Sequence, residues 1–387
     1  MRTLIIAAFL LVGSVLRAND PIVTLPFQIH LGHIYIQGQI NDGRPINIVF
    51  DTGAAANLAS ESVADEIGLK TSGTQTVLGA SGPVSIKSSK RNRLKLGDDL
   101  ALKNQDFLVM NLDHLGDPDY PIDAIIGANI LNNYTVEMDF EKGLINLFPR
   151  EDFPAPEGYT AHSISLVPFN VPIVEGSLFI SGNETISGPY LVDPGAALAL
   201  RINTPTVNEN ELVHKVSPSY EHAGKALGNE SVDKIGRLQS FTVLGESFEG
   251  VPIRMASVTS GVSSMSNVNG ILGLEILKRF NTIYDYDKQV MYVKRNNLFN
   301  APFRESKSGL KVKKYAGYLE VENVIASSAG EKAEIKPGDR ILSVDGKVNL
   351  TQDQFSDYCH ETKGPISLKI LRKGEELTIS ITPFSMI

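Results

Sequence analysis

One stretch of the chain organises the rest, and it reads Ile46-Asn47-Ile48-Val49-Phe50-Asp51-Thr52-Gly53-Ala54-Ala55-Ala56-Asn57-Leu58-Ala59-Ser60. The residues before Asp51 are mostly β-branched or aromatic, which predicts a buried strand. Asp51-Thr52-Gly53 then predicts a turn that leaves an acidic side chain at the edge of a core. A carboxylate in that position is costly unless a partner satisfies it or a reaction uses it, which raises the question of a second acid facing Asp51.

The stretch has a counterpart in the second half of the chain. Tyr190-Leu191-Val192-Asp193-Pro194-Gly195-Ala196-Ala197 repeats it at an offset of 142 residues. Ile125-Ile126-Gly127 recurs as Ile271-Leu272-Gly273, and Asp139-Phe140-Glu141-Lys142 recurs as Asp285-Tyr286-Asp287-Lys288, both at an offset of 146 residues. An isolated Asp-Pro-Gly is an ordinary turn sequence. Asp193 becomes a candidate functional acid because its surroundings repeat those of Asp51. Three ordered matches at nearly one offset predict two homologous all-β lobes.

The composition narrows the functional classes. The chain has 387 residues, a formal net charge of −8, no tryptophan and one cysteine, Cys359. Dispersed charges without a basic stripe argue against nucleic-acid binding. One cysteine excludes an intrachain disulfide and a cysteine-rich zinc module. The sequence lacks the common serine-hydrolase, zinc-protease and nucleotide-loop motifs, and His30 and His33 are expected to have packing or surface roles rather than to bind metal.

The N-terminal segment has the pattern of a secretion signal. Arg2 precedes an apolar run over residues 4–16, which is short for a membrane span. We expect a signal peptide over residues 1–18 and a periplasmic or secreted mature protein with no membrane span after cleavage. Leu16 is large for the third position before the cleavage site, so an uncleaved anchor is the alternative.

The paired motifs resemble the aspartic protease superfamily, in which each of two lobes contributes an Asp-Thr/Ser-Gly acid beside a hydrophobic-hydrophobic-Gly segment. The similarity is greatest to retropepsin-like domains fused in tandem. It implies a mainly β fold with two homologous retropepsin-like β-barrel lobes. It also implies an aspartic endopeptidase that acts on peptide or protein substrates, with Asp51 and Asp193 as the catalytic pair, no metal, no cofactor and no covalent intermediate.

The chemistry of that family explains why two acids are needed. Two adjacent carboxylates cannot both ionise readily, so they share a proton and their pKa values separate. The ionised partner can take a proton from water while the protonated partner polarises the scissile carbonyl. Thr52, Gly53 and Gly195 are the expected supporting residues, because glycine lets backbone N–H groups approach the carboxylates.

Two glycine-bearing segments are expected to cover bound substrate. The first is a hairpin over residues 76–88, whose tip is Gly79-Ala80-Ser81-Gly82. The second is Ala226-Leu227-Gly228-Asn229. Both have the small residues that a mobile flap requires.

Pro194 departs from the family pattern. In that family, the Thr or Ser after each acid accepts an N–H from its counterpart and donates to a carbonyl beside the opposite acid. Proline has neither a hydroxyl nor an N–H, so Thr52 can donate to the carbonyl of Val192 but receives nothing from position 194. Each missing hydrogen bond costs about 1 kcal/mol. A catalytically impaired, protease-like peptide-binding protein is therefore the alternative function, and a purely structural β protein is a third.

The last part of the chain resembles a PDZ domain of the bacterial protease type. Ile335-Lys336-Pro337-Gly338-Asp339 and Val344-Asp345-Gly346 match that family's pattern, with Glu334 where glycine is usual. The resemblance implies a small α+β domain that binds a peptide, such as a C-terminal peptide, along a strand edge. Gly309 and Leu310 are the expected peptide-binding loop, and a purely structural loop is the alternative. The domain would recruit substrate tails or regulate access.

The predicted domain organisation has four parts. They are a signal peptide over 1–18, aspartic protease lobes over 19–152 and 158–298, and a PDZ domain over 304–387.

Overall fold

The structure is a computed structural model, and it describes residues 20–78, 82–113, 115–151, 153–166, 170–180, 184–225 and 230–387. The expected signal peptide over residues 1–18 lies outside these ranges. So do Gly79, Ala80 and Ser81 of the first expected flap and all of the second, residues 226–229.

The first repeat is built from short strands and two short helices. Its strands are β1 (Val23–Pro26), β2 (Gln28–His30), β3 (His33–Ile40), β4 (Ile46–Phe50), β5 (Asn57–Ser60), β6 (Thr71–Leu78), β7 (Pro83–Leu96), β8 (Leu100–Met110), β9 (Ala124–Ile126), β10 (Tyr134–Asp139) and β11 (Leu144–Pro149). Its helices are α1 (Glu61–Glu66) and α2 (Ala128–Leu131). One eight-stranded sheet has the order β2-β3-β4-β9-β5-β8-β7-β6. The predicted hairpin is present as β6 and β7, but β7 continues to Leu96, because it also pairs along its length with β8.

The second repeat has the same organisation. Its strands are β12 (Thr160–Ser163), β13 (Ile173–Phe179), β14 (Thr185–Val192), β15 (Leu200–Ile202), β16 (Ser219–Lys225), β17 (Glu230–Arg237), β18 (Ser240–Val243), β19 (Glu246–Glu249), β20 (Pro252–Met255), β21 (Gly270–Leu272), β22 (Phe280–Asp285) and β23 (Val290–Arg295). Its helices are α3 (Thr204–Glu209), α4 (Leu212–Lys215), a 3-10 turn (Val262–Ser264) and α5 (Leu274–Leu277). A nine-stranded sheet has the order β16-β17-β20-β15-β21-β14-β13-β18-β19.

A third sheet joins the two repeats. Its order is β1-β11-β10-β22-β23-β12, and β10 pairs antiparallel with β22 through Val136 and Tyr284. The repeated Asp-aromatic-acid-Lys motif forms the turn after each of these strands: Asp139 Oδ1 accepts the N–H of Lys142 at 3.1 Å, and Asp285 Oδ1 accepts that of Lys288 at 3.0 Å. One hydrophobic core extends through both repeats. The predicted bilobal, mainly β fold is confirmed.

The C-terminal module has its own sheet and core. Its elements are β24 (Leu310–Tyr315), β25 (Tyr318–Val324), α6 (Ala329–Lys332), β26 (Arg340–Val344), β27 (Lys347–Val348), α7 (Gln352–Glu361), β28 (Ile366–Arg372) and β29 (Glu375–Ile381). The Pro-Gly-Asp turn closes because Asp339 Oδ2 accepts the N–H of Lys336 at 2.8 Å. Helix α7 begins at a capping box in which Thr351 and Gln354 bond each other's backbone. The Pro-Gly-Asp turn is one of the signals that indicated the module in the sequence.

Candidate active site

Each of the two acids follows a buried strand at an equivalent place in its repeat. Strand β4 runs parallel to β9, and β14 runs parallel to β21. The N–H of Asp51 donates to the carbonyl of Ile126 at 2.9 Å, and the N–H of Asp193 donates to the carbonyl of Leu272, also at 2.9 Å. The apolar residues of each repeat therefore place its acid through the same backbone pairing.

The glycine after each acid packs against the acid of the other repeat. A Cβ on Gly53 would lie 2.7 Å from Cγ of Asp193, and a Cβ on Gly195 would lie 2.3 Å from Cγ of Asp51. Real side chains do not approach so closely, so only glycine fits at either position. The structure thus brings Asp51, Asp193, Gly53 and Gly195 together across the interface between the repeats.

The two acids are half-buried, and their carboxyl groups interact with each other across the interface. Burial raises the pKa of both, and the pKa of Asp193 rises well above its usual range because the charge of Asp51 adds to the effect of burial. The N–H of Gly53 donates to Oδ1 of Asp51 at 2.7 Å, whereas Oδ1 of Asp193 is buried without a hydrogen-bond partner in the described part of the chain. The pair as a whole therefore holds a shared proton more readily than an isolated aspartate does.

Thr52 links the repeats on one side only. Its fully buried hydroxyl donates to the carbonyl of Val192 at 2.9 Å. Pro194, at the equivalent position of the second repeat, can return no such bond. The half-formed network that the sequence predicted is confirmed.

Replacing Thr52 by valine tests the remaining bond. We expect Thr52→Val to lower the free energy of unfolding by about 1–3 kcal/mol, because the buried carbonyl of Val192 loses a donor while the shape of the side chain is kept. Urea denaturation measures the change. Thr52→Ser keeps the hydroxyl and should lose less; equal losses in the two variants would show that the hydrogen bond is not the cause.

The acids lie in a cavity of about 590 Å³. Apolar residues of both repeats line it, including Val49, Ile125 and Ile271. Lys311 and Lys313 of β24 and Gln352 of α7 also line it, so the C-terminal module forms part of the wall. Gly82, the one described residue of the expected flap tip, is not among the lining residues, and the flap stays a prediction.

The loop predicted to bind a peptide end is internally bonded. The N–H of Gly309 donates to the carbonyl of Ser306 at 3.2 Å, and the N–H of Leu310 donates to Oγ of Ser308 at 3.2 Å. Leu310 also packs in the core of the module. A carboxylate at this loop would have to replace those bonds, so its role stays a prediction.

His30 joins the C-terminal module to the first repeat, a role that the sequence did not indicate. Its Nε2 lies 2.6 Å from Oδ2 of Asp117, and its Nδ1 lies 3.2 Å from Oδ2 of Asp353 on α7. Asp353 also accepts the N–H of Leu31 at 2.8 Å and lies 3.6 Å from Arg304. Burial lowers the pKa of His30, but the bonds to Asp353 and Asp117 outweigh it and raise the pKa above its usual value. No sequence signal could have found this contact, because 322 residues separate Leu31 from Asp353.

This contact should depend on pH. Protonated His30 faces Asp117 and Asp353, and Arg304 pairs with Asp353. Burial lowers the pKa of nearby His33 and keeps it neutral. Because the pKa of His30 is raised in the folded protein, its stabilising effect is complete below its ordinary pKa of about 6.5 and is lost as pH rises through the raised value. We expect hydrogen-exchange protection of the Leu31 amide to fall about tenfold across that range, after correction for the intrinsic rate. His30→Gln should abolish the pH dependence, and unchanged dependence in that variant would contradict this assignment.

Two family models match the chain. Residues 36–130 match the aspartyl protease family and residues 304–382 match the PDZ domain family. The chain therefore contains an aspartyl protease domain and a C-terminal PDZ domain. The first match includes Asp51 and ends before Asp193, so the second acid is related to the first by the internal repeat and by the fold.

Similar proteins share only parts of the chain. Regulator of sigma-E protease RseP from Salmonella typhimurium and regulator of sigma E protease from Salmonella typhi are each 36% identical over 64 residues, which is 16% of this chain. The chain spans 14% of the length of these relatives. An aspartic proteinase from Irpex lacteus aligns over 73% of this chain and 99% of its own, with 15% identity and a TM-score of 0.46. Across the residues described, no helix has the length and apolar character to cross a membrane.

Proposed function

We propose that this chain is an aspartic endopeptidase in which Asp51 and Asp193 activate water, and that its PDZ domain recognises peptides. One observation carries the proposal: two carboxyl groups from equivalent positions of the repeats meet in a cavity lined by both repeats and by the PDZ domain. Thr52, Gly53 and Gly195 act as supporting residues that hold the pair together.

In the proposed reaction, Asp51 accepts a proton from a water molecule as the water oxygen bonds to the scissile carbonyl carbon. Protonated Asp193 donates a hydrogen bond to the carbonyl oxygen, which takes up the developing negative charge. The C–N bond then breaks, and a proton held by the pair passes to the departing amine. The pair ends with the same number of protons as it began, so no metal or covalent intermediate is needed.

A hydrolysis assay with an unfolded protein as substrate tests the proposal. We expect cleavage that resists a chelator and is inhibited by a peptide with a secondary alcohol in place of the scissile amide, since that group resembles the tetrahedral intermediate. The pH profile should be bell-shaped, with both limbs above the ordinary aspartate pKa of about 3.9, because burial raises the pKa of both acids. Loss of all cleavage with a chelator would contradict an aspartic mechanism.

Pro194 favours a second candidate function. Without the reciprocal hydrogen bond, the pair is held from one side only, and a chain that binds peptides without cleaving them is the alternative. Peptide binding with no cleavage at any pH would support it.

We propose protease lobes over 19–152 and 158–298 and a PDZ domain over 304–387. A signal peptide over 1–18 would deliver the protein to the periplasm or the exterior.

A further inference from the structure

The cavity that holds the two acids adjoins a second cavity. The second has a volume of about 410 Å³ and lies between the second repeat and the PDZ domain, where Tyr220 and Phe355 line it. Arg254, Lys311 and His222 line both cavities. A peptide that extends from the acids towards the PDZ domain therefore passes these three side chains.

Arg254 is a cation without a close counter-ion. It lies half-buried on β20, and its guanidinium makes no hydrogen bond or ion pair within the described part of the chain. The acid that influences it is Asp233, which already pairs with Arg201 at 3.0 Å. Burial lowers the pKa of Arg254, yet a guanidinium stays protonated at neutral pH. Two arginines share one carboxylate, so one positive charge at the cavity wall is uncompensated.

The acidic side chains along the second cavity have partners of their own. These pairs are Glu275 with Lys278, Glu305 with Arg237, and Asp353 with His30 and Arg304. Lys311 pairs with Glu322 at 3.3 Å, but the two side chains are 47% and 39% exposed. An exposed pair of this kind contributes at most about 1 kcal/mol, so Lys311 can exchange Glu322 for a ligand.

The two cavities meet at a junction lined by Arg254, Lys311 and His222. The electrostatic potential at this junction is positive. Burial, together with the charges of Arg254 and Lys311, lowers the pKa of His222 to about 4. The imidazole is therefore neutral near pH 7, and the positive charge that an anion meets at the junction comes from Arg254 and Lys311.

We propose that Arg254 and Lys311 form a subsite for a carboxylate of the bound peptide. A guanidinium binds a carboxylate through two parallel hydrogen bonds, and Lys311 adds a point charge from the PDZ domain. The carboxylate belongs either to an Asp or Glu side chain of the peptide or to its C-terminus. The subsite rests on the proposed function, because the peptide is the substrate of the Asp51 and Asp193 pair.

Matched peptides test the subsite. Each peptide of an otherwise neutral series carries one Glu or one Gln, and the position of that residue changes from peptide to peptide. Every peptide is made with a free and with an amidated C-terminus. We expect the wild type to show a kcat/KM about tenfold higher for one carboxylate position, mainly through KM. Arg254→Gln should abolish that preference, Lys311→Gln should reduce it, and Arg254→Lys should restore part of it. Arg93→Gln, which alters an exposed arginine paired with Asp42, is the matched control and should keep the full preference.

The outcomes separate the subsite from the protease proposal. A preference for Glu assigns the subsite to side chains, and a preference for the free terminus assigns it to the chain end. Cleavage with no carboxylate preference, or with the same preference after Arg254→Gln and Lys311→Gln, overturns the subsite and leaves the protease intact. Fluorescence anisotropy with Asp193→Asn adds a measurement without turnover. Carboxylate-dependent binding there that Arg254→Gln abolishes supports the subsite even if the wild type cleaves nothing.

Discussion

Asp51→Asn and Asp193→Asn should each reduce peptide hydrolysis by about a thousandfold or more, since each removes one of the two groups that transfer protons in the reaction. Asparagine keeps the size of the side chain, so the packing against Gly53 and Gly195 is preserved. Measurement of kcat/KM with the same unfolded substrate gives the loss. Asp98→Asn, at a fully exposed acid, is the matched control and should leave the rate unchanged.

The stability of these variants distinguishes lost chemistry from lost folding. The pKa of Asp193 is raised in the folded protein, so its ionisation opposes folding as pH rises above the ordinary value of about 3.9. Asparagine removes that cost, and Asp193→Asn should have an unfolding free energy at pH 7 equal to or above that of the wild type. Activity that survives Asp193→Asn would exclude the pair as the catalytic unit, whatever the stability.

Gly195→Ala should also reduce hydrolysis strongly, without changing either acid. The added Cβ would lie 2.3 Å from Cγ of Asp51 and 2.6–2.7 Å from its two oxygens, so the acids must move apart or the backbone must shift. We expect kcat/KM to fall about a hundredfold or more and the free energy of unfolding to fall by about 1–3 kcal/mol. Gly364→Ala is the matched control, because a Cβ there meets nothing within 4 Å.

Full activity in Gly195→Ala would show that the approach of the two repeats at this point is not needed for the reaction. A loss of activity with unchanged stability would locate the effect in the geometry of the acids. Measuring both quantities on the same preparation separates these results.

Local sequence determined much of this protein. The apolar run before Asp51, the glycine after it and their repetition around Asp193 predicted two equivalent strand-and-turn units, because strand pattern and turn residues are local properties of a sequence. Pro194 predicted the missing half of the hydrogen-bond network, since the loss of an N–H follows from proline in any fold. The turn chemistry of Pro337-Gly338-Asp339 indicated the last module in the same way.

Only the tertiary structure decided how the module and the repeats meet. The contact of His30 with Asp353 and the junction of Arg254 with Lys311 bring together residues far apart in the chain. Neither contact has a spacing or motif of its own, because side chains on separate elements meet according to the complementarity of whole surfaces. Sequence motifs specify each acid and its turn; the packing of the three modules specifies the cavity around them and the charges that line it.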